Sequence, residues 1–344
     1  MNPMTWAIMI TGLLMSTIIV LSSHHWLLVW IGLELNTLSI VPIIIKSHHP
    51  RATEAATKYF LIQTAAAALI LFAGTLNTWK TGQWTFTYTP SLSTTMIMLA
   101  TMLKLGLAPM HFWYPDVLQG STLLTALTIS TWQKLAPLAV LYMISQTPST
   151  AMLMVGLISA LVGGWMGLNQ TQMRKLLAFS SIAHMGWLLS VLSLNPKLAT
   201  MALIIYILST TAVFLTLSPT MTKTTLDLSS THSSHPTLTM ALMVLVLSLG
   251  GLPPLSGFMP KWLTLNELVS QGLTPLATLI ALASLPSLYF YLRITFVTML
   301  MAPPNNTTTE LKWRFKLTTS PALAMTAPPA TLVLPLTPLL TNTL

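Results

Sequence analysis

The sequence predicts an all-α, polytopic membrane protein of about eleven transmembrane helices: two inverted five-helix repeats with paired broken helices, plus one extra C-terminal helix. Three observations carry that reading. Of 344 residues, 53% are hydrophobic and only 6% charged, against roughly 25% charged in a soluble domain. The apolar runs are about 20 residues long, enough to cross a hydrocarbon core of roughly 30 Å, where every backbone group must be paired and helices are favoured. A proline-broken segment then recurs: Gly106-Leu107-Ala108-Pro109 through Pro115, and Gly251-Leu252-Pro253-Pro254 through Pro260, share the spacing G-L-x-P-x5-P.

In order, the hydrophobic runs centre near Leu13, Leu35, Thr64, Leu103, Gln133, Ile158, His184, Ile207, Leu249, Ser287 and Thr331. With each connection numbered by the span before it, the even ones carry Lys46, Arg51, Lys58, Arg174, Lys175, Lys223, Lys312, Arg314 and Lys316; the odd ones carry chiefly Lys80 and Lys197. The positive-inside rule places the even connections and the N-terminus on the side of synthesis and the C-terminus on the far side. The offset from Gly106 to Gly251 also lays span one on six, two on seven, three on eight and five on ten. Because the repeated unit has an odd number of helices, its second copy lies upside down, as in transporters with paired broken helices. The predicted divisions are 1–146 for the first repeat, 147–300 for the second, and 301–344 for a loop and the added helix. The stretch Met1 to Val20 runs directly into an apolar segment without a charged leader, which predicts insertion where the chain is made.

Several functions are excluded or unsupported. Formal charge is +9, but Lys and Arg are scattered, so no basic stripe suits nucleic acid. There is no cysteine, which rules out disulfides, cysteine-held zinc and iron–sulfur clusters on this chain and puts any redox chemistry elsewhere. No histidine pair has metal-ligand spacing beside a carboxylate. A phosphate loop, a Ser-His-Asp set and a G-x-S-x-G elbow are all missing. The Met and Leu residues at helical spacing read as packing surface. Asn169-Gln170-Thr171 and Asn305-Asn306-Thr307 match the glycosylation pattern, and in so threonine-rich a chain both read as chance matches.

The chemistry lies in ionisable residues placed deep in oil. Proline removes a donor and crowds the carbonyl one turn earlier, so each break frees carbonyls that need polar partners at membrane depth. A simple kink is the plainer account of either break alone; their matched spacing favours a site. Glu34 sits near the centre of Trp26 to Ile45, Lys104 near the centre of the span ending at Pro115, and Lys134 near the centre of Ser121 to Ile144. An ionised side chain at mid-helix costs about 2.5 to 3.5 kcal/mol, so such residues need partners or a purpose. Glu34 and Lys104 form an opposite-charge pair able to act as a switch. Lys134 has no acidic residue at comparable depth on its own span or either neighbour, and desolvation makes such a lysine readier to release its proton. Snorkelling to an interface is the plainer reading of a membrane lysine, strongest for Lys261 beside Pro260. His111, between the prolines of the first break, and His184, midway along span seven, can pass a proton between ring nitrogens. A buried structural role is the plainer reading of both. His24, His25, His48 and His49 flank span two and read as interfacial.

Two stretches, Leu103-Lys104-Leu105-Gly106-Leu107-Ala108-Pro109-Met110-His111-Phe112-Trp113-Tyr114-Pro115 and Thr131-Trp132-Gln133-Lys134-Leu135-Ala136-Pro137, resemble the antiporter-like membrane subunits of NADH–ubiquinone oxidoreductase, respiratory complex I. The resemblance is to the mitochondrially encoded chain 2 family. It spans the chain, from Trp30-Ile31-Gly32-Leu33-Glu34-Leu35-Asn36 through Arg174-Lys175-Leu176-Leu177-Ala178-Phe179-Ser180-Ser181 to Gly251-Leu252-Pro253-Pro254-Leu255-Ser256-Gly257-Phe258. It implies that animal versions have lost three N-terminal helices of bacterial members and keep eleven. It also implies a proton relay in which Glu34 and Lys104 are a switch, Lys134 the central lysine, Lys261 the terminal residue on the second broken helix, and His111 a neighbour of the path. Asp116, where several relatives carry a small or basic residue, is a departure.

The expectation is a proton-translocating membrane-arm subunit of the mitochondrial inner membrane, driven by electron transfer in other subunits. The N-terminus would face the matrix and the C-terminus the intermembrane space. The resemblance implies no cofactor on this chain, with NADH, FMN, iron–sulfur clusters and ubiquinone held elsewhere in the complex. It implies other membrane-arm subunits and lipids as partners. A stand-alone cation/proton antiporter and a purely structural subunit are the alternatives.

Overall fold

Across residues 3–46, 48–85, 90–145, 150–300 and 320–339, which this computed structural model describes, the chain is helical, with no strand and two isolated β-bridges, His25 with Thr85 and Gln172 with Thr224. Lys312, Arg314, Lys316 and the Asn305 glycosylation pattern lie outside the described residues. Seven of the described helices are long and apolar enough to cross a membrane.

The chain divides into two units, Met1–Ser149 and Thr150–Leu344. The first contains α1 (Pro3–Ser22), α2 (Trp26–Ile45), α3 (Pro50–Thr81), α4 (Ser91–Leu105), α5 (Trp113–Gly120), α6 (Leu123–Ser130) and α7 (Leu135–Ile144). Its core joins Val20 of α1, Val29 and Leu33 of α2, Ile70 of α3, Ile97 of α4 and Val140 of α7. The second contains α8 (Thr150–Gly167), α9 (Met173–Leu192), α10 (Pro196–Thr220), α11 (Thr225–Ser234), α12 (Pro236–Gly250), α13 (Phe258–Ser270), α14 (Thr274–Leu300) and α15 (Pro321–Leu332). One of its cores joins Leu153 and Ala160 of α8, Trp187 of α9, Leu268 of α13 and Ile280 of α14.

Both motif copies end a helix in the same way. Gly106 (φ 69°) and Gly251 (φ 78°) adopt the left-handed conformation, which a glycine reaches without steric cost. The Gly106 N–H donates to Leu103 O and the Leu107 N–H to Met102 O; Gly251 and Leu252 repeat the pattern on Ser248 O and Leu247 O. This is the Schellman closure. The prolines that follow prevent the helix from resuming at once.

Span five, expected as one helix from Ser121 to Ile144, is instead divided into α6 and α7 by a 3-10 turn at Trp132–Lys134. The cause is Pro137, which has no N–H for the carbonyl of Gln133 and whose ring crowds that carbonyl. Two of the histidines read as interfacial have a further role: His25 Nδ1 accepts the Leu27 N–H at 3.2 Å and His49 Nδ1 the Arg51 N–H at 3.2 Å, capping α2 and α3. Within the spans, hydroxyls are satisfied by their own helix, as Ser180 donates to Leu177 O and Thr216 to Val213 O. This is how so many Ser and Thr are tolerated in oil.

Outside the spans, α11 opens on a capping box. The Thr224 hydroxyl accepts the Asp227 N–H at 3.3 Å, while the Asp227 carboxylate accepts the Thr224 N–H at 2.8 Å and the Lys223 N–H at 3.1 Å. The bond from the Thr224 backbone is the main reason the Asp227 carboxyl lies below its ordinary range. A depressed folded-state value means that the box contributes fully above the ordinary carboxylate range and is lost as pH falls through the folded value. Thr224→Ala is expected to loosen the first turn of α11 by about 1 kcal/mol. Faster hydrogen exchange at those amides checks this, and acid should erase the difference between wild type and Asp227→Asn.

Candidate functional site

In the first unit, the ends of α4 and α6 bring Lys104 and Lys134 to one cavity of about 20 Å³, room for about one water. Both lysines are buried, at 5% and 3% exposure. Lys104 lies one residue before the end of α4, and its Nζ donates to the backbone carbonyl of Gln63 at 3.3 Å. Gln63 returns the contact, its Nε2 donating to Lys104 O at 3.3 Å. Trp113 Nε1 donates to Leu103 O at 3.2 Å. Two side chains thus reach the last carbonyls of α4: Gln63 meets Lys104 O, and Trp113 adds a second donor to Leu103 O, which also accepts the Gly106 N–H.

Lys134 occupies the 3-10 turn, its Nζ 5.2 Å from the centre of the Tyr114 ring, within cation–π range. Beside it, Gln133 Nε2 donates to Asn36 Oδ1 at 3.0 Å and Tyr59 OH donates to Gln133 Oε1 at 3.3 Å. The cavity wall is therefore a polar relay from α2 through the turn to α3.

Glu34 is half-buried on α2, and Leu33, Asn36 and Thr37 around it line the cavity. Among the described residues the ion pairs are Lys58 with Glu54 and Lys58 with Asp116, so the expected pair of Glu34 with Lys104 is not formed as a direct contact. Its Oε2 is buried with no protein hydrogen-bond partner. A buried carboxylate oxygen in that state calls for water or movement. His111 is held apart from the cavity lining, with Nδ1 3.2 Å from Pro109 O and its ring 4.4 Å from that of Phe112.

In the second unit, Lys261 on α13 points back at the end of α12, its Nζ donating to Gly250 O at 2.8 Å. Gly250 is the last residue of α12, so its carbonyl is one that the helix leaves open, at the negative end of the helix dipole. A Cβ at position 251 would lie 3.0 Å from Lys261 Nζ, so the glycine also makes room for the lysine. Lys261 lines a second cavity of about 30 Å³ with His184, Tyr206 and Thr264. The His184 Nε2 lies 3.4 Å from Tyr291 OH.

The structure thus gathers Lys104 with Lys134, and Lys261 with His184. Sequence reasoning did not find Tyr59, Gln63, Asn36 and Gln133. The available signal was polar side chains interrupting apolar helix faces, with Gln63 and Asn36 each near the middle of a span.

The family model described as "NADH:quinone oxidoreductase/Mrp antiporter, TM" matches residues 23–286, and that described as "NADH dehydrogenase subunit 2 C-terminus" matches residues 288–341. NADH-ubiquinone oxidoreductase chain 2 of Carassius auratus is 51% identical over 341 residues, covering 98% of each chain. The chain belongs to the NADH-ubiquinone oxidoreductase chain 2 family. A solved chain of respiratory complex I from Thermus thermophilus is 29% identical, with a TM-score of 0.81 over 96% of this chain and 79% of that one. A chain of the Mrp complex from Dietzia sp. DQ12-45-1b shares the fold at 16% identity, with a TM-score of 0.82 over 97% of this chain and 75% of that one. The chain 2 family is therefore built on an antiporter-like membrane fold, and this member is a multi-pass membrane protein.

Proposed function

We propose that this chain is a core membrane-arm subunit of a proton-pumping NADH:ubiquinone oxidoreductase, moving protons through buried lysines as electron transfer in other subunits drives the change. Family membership and the full-length match support the assignment to that enzyme. The observation that carries the transport step is the pair Lys104 and Lys134, buried together in one polar cavity at two interrupted helices.

An amine in such a site can give up its proton to water in the cavity and take another back. Glu34 sets the balance: its charge favours a protonated Lys104, and a shift of α2 that weakens the interaction releases the proton. Lys134 receives it through the cavity, and Lys261 with His184 is a second relay site, within the second unit. His111 lies beside the first broken helix as an accessory group. NADH, FMN, iron–sulfur clusters and ubiquinone belong to other subunits, with no cofactor or metal on this chain. Other membrane-arm subunits and lipids surround it in the mitochondrial inner membrane, with the N-terminus on the matrix side and the C-terminus in the intermembrane space. Residues 1–146 and 147–300 act as inverted repeats, and 301–344 adds a loop and a final helix.

Glu34→Ala and Lys104→Met are each expected to lower NADH-driven pumping and coupled NADH oxidation together by on the order of tenfold, with the complex still assembled. Proton-to-electron stoichiometry measured in reconstituted vesicles checks this. Full stoichiometry in a fully assembled variant would refute the role.

A further inference from the structure

Tyr291, buried at 1% exposure in α14, stands behind the second lysine cavity rather than lining it. Two side chains of α9 meet its hydroxyl. His184 Nε2 lies 3.4 Å from it, and Ser180, four residues earlier on the same helix face, hydrogen-bonds the same phenol. Ser180 is equally buried and has committed its only proton, donating to Leu177 O at 2.7 Å. Toward the phenol it is therefore an acceptor. The tyrosine ring packs on the end of α12, where a Cβ on Gly250 would lie 3.5 Å from Tyr291 Cδ2. The carbonyl of that glycine holds Lys261 Nζ. One side chain thus touches both the imidazole and the residue that anchors the amine.

An imidazole that takes and gives a proton needs a different partner in each state: a donor when its nitrogen is bare, an acceptor when the nitrogen carries hydrogen. A phenol can be either, but it has one proton to place. With its O–H turned to His184 it serves the bare nitrogen. With its O–H turned to Ser180 Oγ, the phenol oxygen is left to accept from Nε2–H. Ser180 is what makes the second arrangement possible.

We propose that Tyr291 is a positioning residue for His184, its O–H swinging between Nε2 and Ser180 so that the imidazole is matched in both protonation states. No proton leaves the tyrosine; the hydroxyl rotates about its C–O bond as His184 charges and discharges. The ring stays against Gly250, so the acceptor of Lys261 is held still during the swing. The titratable groups facing His184 are Lys261 of α13, Tyr206 of α10 and Tyr291 of α14. Helices α8 and α12 carry none, and Arg174 and Lys175 lie in the first turn of α9. Glu267 of α13 is turned to Asn195, and Arg293 of α14 to Leu168 O. The inference deepens the transport reading above and rests on it.

The test uses the assembled complex in proteoliposomes, with pumping followed from mildly acid to alkaline pH. Tyr291→Phe keeps the ring on Gly250 and removes the hydroxyl. It should assemble normally and pump on the order of tenfold more slowly, because a buried nitrogen is left unmatched in each state. Ser180→Ala removes the alternative acceptor and leaves the phenol O–H aimed at Nε2, which opposes charging of His184. Its loss should reach on the order of tenfold at alkaline pH, where protons are scarce, and fade in acid. Normal pumping by Tyr291→Phe at every pH would overturn the proposal. So would a Ser180→Ala profile with no alkaline loss, or one lowered equally at every pH, which would mark a packing contact. Lys134→Met in the same vesicles separates the two levels: if it is inactive while Tyr291→Phe is normal, only the tyrosine's role fails, whereas full pumping by Lys134→Met would remove the transport reading itself.

Discussion

A complex carrying Lys134→Met is expected to assemble fully and to lose pumping, with coupled NADH oxidation falling at least about tenfold. The fold has little need of this amine, since burying an ionised lysine at mid-span costs about 2.5 to 3.5 kcal/mol and methionine has similar length without that cost. Lys134 is 3% exposed, against the Tyr114 ring, a setting that suits a thioether as well. Lys134→Arg separates proton transfer from charge alone. Arginine keeps the charge and the ring contact but hardly deprotonates, so it should fail as Met does. If Arg works and Met fails, Lys134 is a fixed positive charge; if both pump, the cavity is not on the path. Native-gel assembly and the proton-to-electron ratio, measured together, decide between these outcomes.

Much of this was legible in the residues, and what was hidden was long-range. The class followed from the apolar runs, and the two breaks followed from G-L-x-P, because glycine's left-handed turn and proline's missing donor are local properties. The break at Trp132–Lys134 was also local, written in Pro137, yet it was read as one helix because a single proline in an apolar run so often marks only a kink. The partner of Lys104 was not legible. Charge complementarity pointed to Glu34, whereas the amine reaches the Gln63 carbonyl, a group that every residue carries and no sequence singles out. The same holds for Lys261 and Gly250 O. His184 was visible as a titratable group in mid-span, but its cavity with Lys261 depends on how α9, α10 and α13 pack.

Those carbonyl partners suit proton transfer. A carboxylate within contact range would hold a lysine protonated, whereas a carbonyl orients the amine with a weaker preference for its charged form. In both units an amine meets a backbone carbonyl: in the second the break itself supplies the acceptor, Gly250 O at the end of α12, whereas in the first the acceptor, Gln63 O, belongs to the unbroken helix α3.

Gly163→Leu is expected to prevent the second unit from forming, leaving the complex unassembled. Helix α8 meets α9 through small residues: a Cβ on Gly163 would lie 2.6 Å from Ala183 N and 2.8 Å from Phe179 O, and one on Gly156 would lie 2.9 Å from Gly186 O. Backbones can approach this closely only where side chains are absent. The obstructing atoms are main chain and cannot rotate aside, so a leucine there must force the helices apart at a cost above about 3 kcal/mol. Gly12→Ala is the matched control, since its Cβ would meet only Ser39 Cβ at 3.5 Å, an ordinary contact expected to change stability by less than about 0.5 kcal/mol. Gly163→Ala links packing to function. Its smaller push falls on Ala183, next to His184, whose contact with Tyr291 already spans 3.4 Å, near the limit of a hydrogen bond. An assembled Gly163→Ala complex should therefore pump less than wild type, through displacement of the histidine beside Lys261. Normal assembly and pumping by Gly163→Leu would show that α8 and α9 do not pack on these glycines.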